Sequence, residues 1–169
     1  MRMATGRGAG ERERGRVWGV EESVVVSASP GDVYALLADV RRMREWSPEV
    51  FWVWRRGRRF VGFNRKAFFV WFTSCRISVA EPARHFAFDV TVFGLPIARW
   101  GYRLEEAGGG GSLVTEYWVD HRRERRRGRV ADLLGLVFTG TPPARRAEMN
   151  RAGMRTTLRR LKGACERAA

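Results

Sequence analysis

Apolar residues recur along this chain with two different periods, and the switches between them divide it into elements. Val17, Val20, Val24 and Val26 fall in a β-branched run that stops at Ser29-Pro30-Gly31, the pattern of a first strand followed by a helix start. Ser29 can cap that helix and Pro30 suits its first turn. Over Asp32 to Trp46, the residues Val33, Leu36, Leu37, Val40 and Met43 adopt helical spacing. A break near Asp39 predicts two short helices rather than one, and Pro48 ends them.

Five apolar segments follow: Val50 to Trp54, Phe60 to Asn64, Phe68 to Val79, His85 to Phe93 and Ile97 to Glu105. Arg-Arg-Gly, Arg65-Lys66, Glu81-Pro82 and Gly94-Leu95-Pro96 separate them, all of it turn chemistry. The Gly108 to Gly111 run makes a hairpin before the last strand, Leu113 to Asp120. Six short strands with no helical crossover between them cannot form a parallel sheet, so they predict an antiparallel meander. From Ala144 to about Cys165 the period changes again. Ala147, Met154, Leu158, Leu161 and Cys165 repeat along one face while Arg145, Arg146, Arg155, Arg159 and Arg160 mark much of the rest. Such a long amphipathic helix must lie on something, and the concave face of the sheet is the partner at hand. The fold class is therefore α+β.

At 169 residues the chain fits one domain and hides roughly 70% of its unfolded surface on folding. Residues 1 to 15, rich in Gly and Arg, predict a disordered basic tail, and 16 to 166 a single folded domain. All but two of the 32 basic residues are arginine, the exceptions being Lys66 and Lys162. That skew, with abundant Ala, Gly and Trp, has the look of GC-rich codon usage, so the net charge of +14 argues only weakly for nucleic acid as a partner. One local feature concentrates it: the basic stretch Arg122 to Arg129 followed by apolar Val130 to Phe138. That combination suggests peripheral contact with an anionic membrane, or with nucleic acid as the weaker expectation. Cys75 and Cys165 have no second thiol at metal-ligand or redox spacing and read as small buried residues. There is no run of eighteen apolar residues and no signal-like start, which predicts a cytoplasmic protein.

Strand, two small helices, antiparallel meander and closing helix is the order of the helix-grip fold. The phrases Glu45-Trp46-Ser47-Pro48-Glu49-Val50, Phe60-Val61-Gly62-Phe63-Asn64, Ala80-Glu81-Pro82-Ala83-Arg84-His85-Phe86-Ala87-Phe88, Trp100-Gly101-Tyr102-Arg103-Leu104-Glu105 and Asn150-Arg151-Ala152-Gly153-Met154 resemble the polyketide cyclase/dehydrase branch of the START/Bet v 1-like (SRPBCC) superfamily. The resemblance spans about residues 17 to 166. It implies a cavity for a small hydrophobic molecule between sheet and helix, and no metal and no obligatory cofactor. Members cyclise polyketides, carry lipids or bind apolar ligands, and fold does not choose among these.

Period-two alternation sorts the strand faces. Ala98, Trp100, Tyr102 and Leu104 oppose Arg99, Gly101 and Arg103, so the first set points inward. Trp71, Thr73, Cys75 and Ile77 oppose a face carrying Arg76, and Phe86, Phe88 and Val90 oppose Asp89. The last strand is apolar on both faces; register with the family's closing strand places Val114, Glu116 and Trp118 inside. Asn64 is either a strand-edge polar residue or a donor to a ligand carbonyl. Asn150 and Met154 lie on the inner stripe of the helix, where the polar one needs a partner: protein, water or ligand. The candidate ligand-binding set is thus Asn64, Trp71, Thr73, Cys75, Phe88, Trp100, Tyr102, Glu116, Trp118, Asn150 and Met154. Cyclase or dehydrase chemistry would need a base and an oxyanion donor, for which Glu116 and Tyr102 are the candidates. Glu116 could instead pair with a buried Arg or face solvent. His85, His121 and the serines form no nucleophilic triad, and two His and two Cys so scattered argue against a metal site. Binding or transport of a small hydrophobic ligand is the leading expectation, a cyclase/dehydrase-type enzyme the alternative, and a basic surface-binding protein the third.

Overall fold

The computed structural model describes residues 12–13, 16–17, 19–121 and 146–167, with side chains for 19–121 and 147–167. Arg12–Glu13 and Arg16–Val17 pair as a small antiparallel ribbon. The rest of the expected tail, the basic stretch Arg122 to Arg129 and the segment Val130 to Phe138 lie outside the described residues.

Seven strands make one antiparallel sheet: β1 (Gly19–Val26), β2 (Val50–Arg56), β3 (Arg59–Lys66), β4 (Phe69–Glu81), β5 (His85–Val92), β6 (Leu95–Ala107) and β7 (Gly111–Asp120). Their order is β1-β7-β6-β5-β4-β3-β2, a six-stranded meander whose last strand takes β1 on its free edge. Between β1 and β2 come α1 (Pro30–Ala38) and a 3-10 helix (Val40–Glu45). The expected break sits at Asp39. Ser29 caps α1 by accepting from the Asp32 N–H at 3.2 Å, and Pro30 occupies the first turn. The expected Gly94-Leu95-Pro96 turn is shorter than its sequence suggests, because Leu95 and Pro96 already pair with Val92 and Thr91.

The closing helix α2 (Arg146–Glu166) buries the predicted stripe. Met154 and Leu161 are fully buried and Leu158 and Cys165 nearly so. Leu158, Leu161, Ala164 and Cys165 join Val26, Val33, Leu37 and Phe86 in the main core. A smaller cluster of Val20, Ala98, Trp118 and Met154 lies nearer the start of the helix. Polar ties fix the helix against the first strand: Lys162 Nζ donates to the Val25 carbonyl at 3.0 Å, and Arg155 pairs with Glu22 at 3.2 Å. No described helix is long and apolar enough to cross a membrane.

Candidate functional site

The concave face carries the residues that alternation assigns to it. In β6, Ala98, Tyr102 and Leu104 are buried and Trp100 half-buried; in β7, Val114, Glu116 and Trp118 are buried. The ambiguous last strand therefore turns Glu116 inward. Register sets the cross-strand pairs, with Trp100 opposite Trp118 and Tyr102 opposite Glu116. Side chains directly opposite on an antiparallel pair stand close enough to bond, and the Tyr102 hydroxyl donates to Glu116 Oε1 at 2.9 Å. Glu116 thus neither pairs with an arginine nor faces solvent.

Between this wall and α2 lies a cavity of about 350 Å³. Trp71, Thr73 and Cys75 from β4, Phe88 from β5, and Asn64 and Phe60 from β3 form the rest of its sheet side. The helix contributes Met149, Asn150, Gly153 and Thr157, and the 3-10 region adds Met43 and Ser47. Ten of the eleven expected ligand-binding residues meet around this space. Met154 does not reach it: it is fully buried one layer back, against Trp118 and Ala98. Asn64 is built into the wall, its amide donating to the Gly62 carbonyl at 3.0 Å and to Thr73 Oγ1 at 3.4 Å.

Gly153 explains why the space exists on the helix side. A Cβ placed there meets no atom within 4 Å, so this position faces emptiness although a helix-interior glycine costs roughly 0.5–1 kcal/mol relative to alanine. Gly153 and Trp46 fall within the family-like phrases but not among the expected site residues. The first has no side chain to enter a hydrophobic pattern. The second reads as the end of a helix, yet Trp46 is nearly inaccessible and its Nε1 leans toward the Tyr102 hydroxyl without completing a hydrogen bond.

Electrostatics single out one group. Burial raises the Glu116 carboxyl from 4.5 to about 8, opposed by the hydrogen bond from Tyr102, and Oε2 is buried with no hydrogen-bond partner. At neutral pH the neutral acid predominates. Burial and the neighbouring carboxylate raise the Tyr102 phenol well above its ordinary range, so it stays a donor. The Cys75 thiol is pushed up to about 12 by burial, which makes it an inert lining group. At the mouth, Lys66 and Glu49 form a half-exposed ion pair at 3.6 Å. A neutral carboxylic acid held by a phenol in an apolar chamber can donate a hydrogen bond to a ligand oxygen or exchange a proton with it.

The histidines lie elsewhere. His85 Nε2 is 2.8 Å from the Tyr117 hydroxyl on the outer face, where Tyr117 packs directly over Gly101. Burial lowers the His85 pKa. Among the described residues no group of three or more His, Cys, Asp or Glu side chains is placed to share a metal ion.

Residues 17–166 match the family described as polyketide cyclase/dehydrase and lipid transport. Among solved structures, a polyketide-cyclase-like protein of Corynebacterium glutamicum is 27% identical, with TM-score 0.56 over 88% of this chain and 91% of that one. A START superfamily protein of Mycobacterium smegmatis shares the fold at 11% identity, with TM-score 0.67 over 90% and 99% of the two chains. A di-domain ARO/CYC protein from the steffimycin biosynthetic pathway is 16% identical, with TM-score 0.64 over 92% of this chain and 52% of that one. Among curated proteins none matches the sequence.

Proposed function

We propose that this chain, which belongs to the polyketide cyclase/dehydrase and lipid transport family, binds and carries a small, largely apolar molecule bearing at least one oxygen. The observation that carries this reading is the chamber of about 350 Å³ between sheet and helix, within the roughly 300–1,000 Å³ of small-molecule sites. Its walls are indole, phenyl and aliphatic surface. Removing such surface from water favours an apolar guest, and the flat faces of Trp71 and Trp100 suit a planar or ring-bearing one.

Glu116 gives the guest its orientation. A buried acid with a free Oε2 costs free energy until something satisfies it, and a ketone, ester or hydroxyl oxygen would do so. An anionic guest gains from the neutral acid but loses the positive charge that usually neutralises it, since Lys66 at the mouth is already paired. Native mass spectrometry of protein purified from its own host tests the reading. A stoichiometric apolar guest released on denaturation is expected; an empty protein that takes up no neutral apolar compound contradicts it.

A second reading, catalysis of the cyclase/dehydrase kind, is favoured by the Tyr102–Glu116 pair itself. General acid–base groups work best with a pKa near the operating pH, and about 8 meets that condition, with the base form gaining as pH rises. In this reading Glu116 moves the proton and Tyr102 holds developing charge. Glu116→Gln then abolishes turnover while leaving affinity nearly intact; unchanged turnover removes the catalytic role.

A further inference from the structure

The outer face of the sheet, opposite the cavity, is unusual over β2 to β5. Cross-strand register places Trp52 beside Phe63 and Phe63 beside Phe72. Trp52 and Phe63 lie 4.8 Å apart between ring centres, and Phe72 meets Phe93 edge-on at 6.0 Å. These rings form one aromatic row across the sheet, and Trp52, Phe72 and Phe93 remain 49%, 47% and 61% exposed. At the adjoining β3–β4 turn, Phe68 is wholly exposed. Phe93 adopts φ +49°, a left-handed conformation that costs an aromatic residue energy and holds its ring outward. A soluble sheet face normally alternates toward polar residues here.

A second row runs parallel to the first. Arg56 stands opposite Arg59, and Arg59 opposite Arg76. Directly opposed like charges repel, and none of the three has a carboxylate partner among the described residues; the nearest candidate by register, Asp89, is engaged by Arg99 through two hydrogen bonds. Four residues of strand separate Phe63 from Arg59, or roughly 13 Å.

We infer that this face docks the protein on an anionic lipid bilayer, the aromatic row and Phe68 entering the acyl boundary while the arginine row meets the phosphates. Three observations select this occupant. Arginines in register, without a carboxylate partner among the described residues, ask for a surface of negative charge, not a single counter-ion. Aromatic rings flanked by basic residues are the composition of an interfacial anchor. The apolar row also reaches the edge of the cavity, since Phe72 and Phe93 contribute to its rim, so docking sets that rim beside the bilayer. Docking does not rest on the carrier reading, because the surface binds whether or not the chamber is filled.

Co-sedimentation of the full chain with vesicles of phosphatidylcholine, alone or mixed with phosphatidylglycerol, tests this. Wild type is expected to prefer the mixed vesicles and to detach as salt rises. Phe68→Ser with Trp52→Ser should weaken binding roughly tenfold or more. Arg59→Gln with Arg76→Gln should weaken it on the order of tenfold and abolish the preference for phosphatidylglycerol. Each variant should melt like wild type and still bind a neutral apolar fluorophore in the chamber; Phe68→Ser alone, altering a fully exposed ring, serves if a pair fails to fold. Wild-type indifference to phosphatidylglycerol, or variants that bind as well as wild type, overturns the inference. So does a wild-type dimer that the aromatic variant splits, which would make a second copy the occupant. Tighter binding to a single-stranded oligonucleotide than to vesicles, lost in the same variants, overturns it in favour of nucleic acid.

Discussion

The two ends of the closing helix meet the same curved sheet in opposite ways. Toward its C-terminus, Leu158, Leu161, Ala164 and Cys165 join α1, the first strand and Phe86 in the main core. Toward its N-terminus, Asn150 and Gly153 face the chamber walled by Trp71, Trp100 and Glu116. One amphipathic element thus seals the molecule at one end and roofs a void at the other. The sealed end supplies the stability that lets the open end keep an orphaned carboxyl and a helix glycine. Differences in side-chain volume along a single stripe separate scaffold from site.

If that division is real, substitutions at the two ends behave differently. Leu161→Ala, at a position with no exposure, should destabilise by about 2–5 kcal/mol in urea or thermal unfolding. A loss well under 1 kcal/mol would mean that the C-terminal half of the helix is not the clamp.

At the open end the largest effect is one of pH. The unfolded chain loses the Glu116 proton near the ordinary 4.5 and the folded protein only near 8. Between these values the unfolded state binds fewer protons, so stability falls as pH rises through the window. The decline should amount to at most about 5 kcal/mol, complete only above about 8, and Glu116→Gln should flatten it. Wild type and variant with identical slopes would contradict the burial of a neutral acid.

Smaller effects sharpen the contrast. Gly153→Ala should stabilise by about 0.5–1 kcal/mol, because its new methyl enters open space; destabilisation would show that the space is already filled. A wholly exposed position should matter least: Phe68→Ser is expected to change stability by no more than about 0.5 kcal/mol, read from the same melts.

Much of this architecture was legible before any coordinates. The meander followed from six apolar runs with no helix between them, and the Ser29-Pro30 helix start and the Asp39 break from local chemistry. Inward faces could be read wherever an arginine or aspartate marked the other side, as with Arg99 and Arg103 against Trp100 and Tyr102. Other features depend on tertiary placement. Trp46 reads as a helix end because nothing local says that Tyr102 will stand beside it. Gly153 belongs to a family-like phrase, but an absent side chain enters no hydrophobic pattern that would place it at the cavity, and Met154 sits on the right stripe but one layer behind the wall. The aromatic row on the outer face has no signature in the sequence, because Trp52, Phe63, Phe72 and Phe93 come from separate segments, brought together only by register.

The central claim is that an apolar chamber, opened on the helix side by Gly153, takes a guest. Titration of a neutral apolar fluorophore such as N-phenyl-1-naphthylamine into wild type and Gly153→Leu tests it most directly. Wild type should show one saturable site, and Gly153→Leu should lose it by more than roughly tenfold, an effect of about 1.4 kcal/mol or greater, while melting at the same temperature or higher. Saturable binding that survives Gly153→Leu unchanged, or its absence from wild type, would contradict the account.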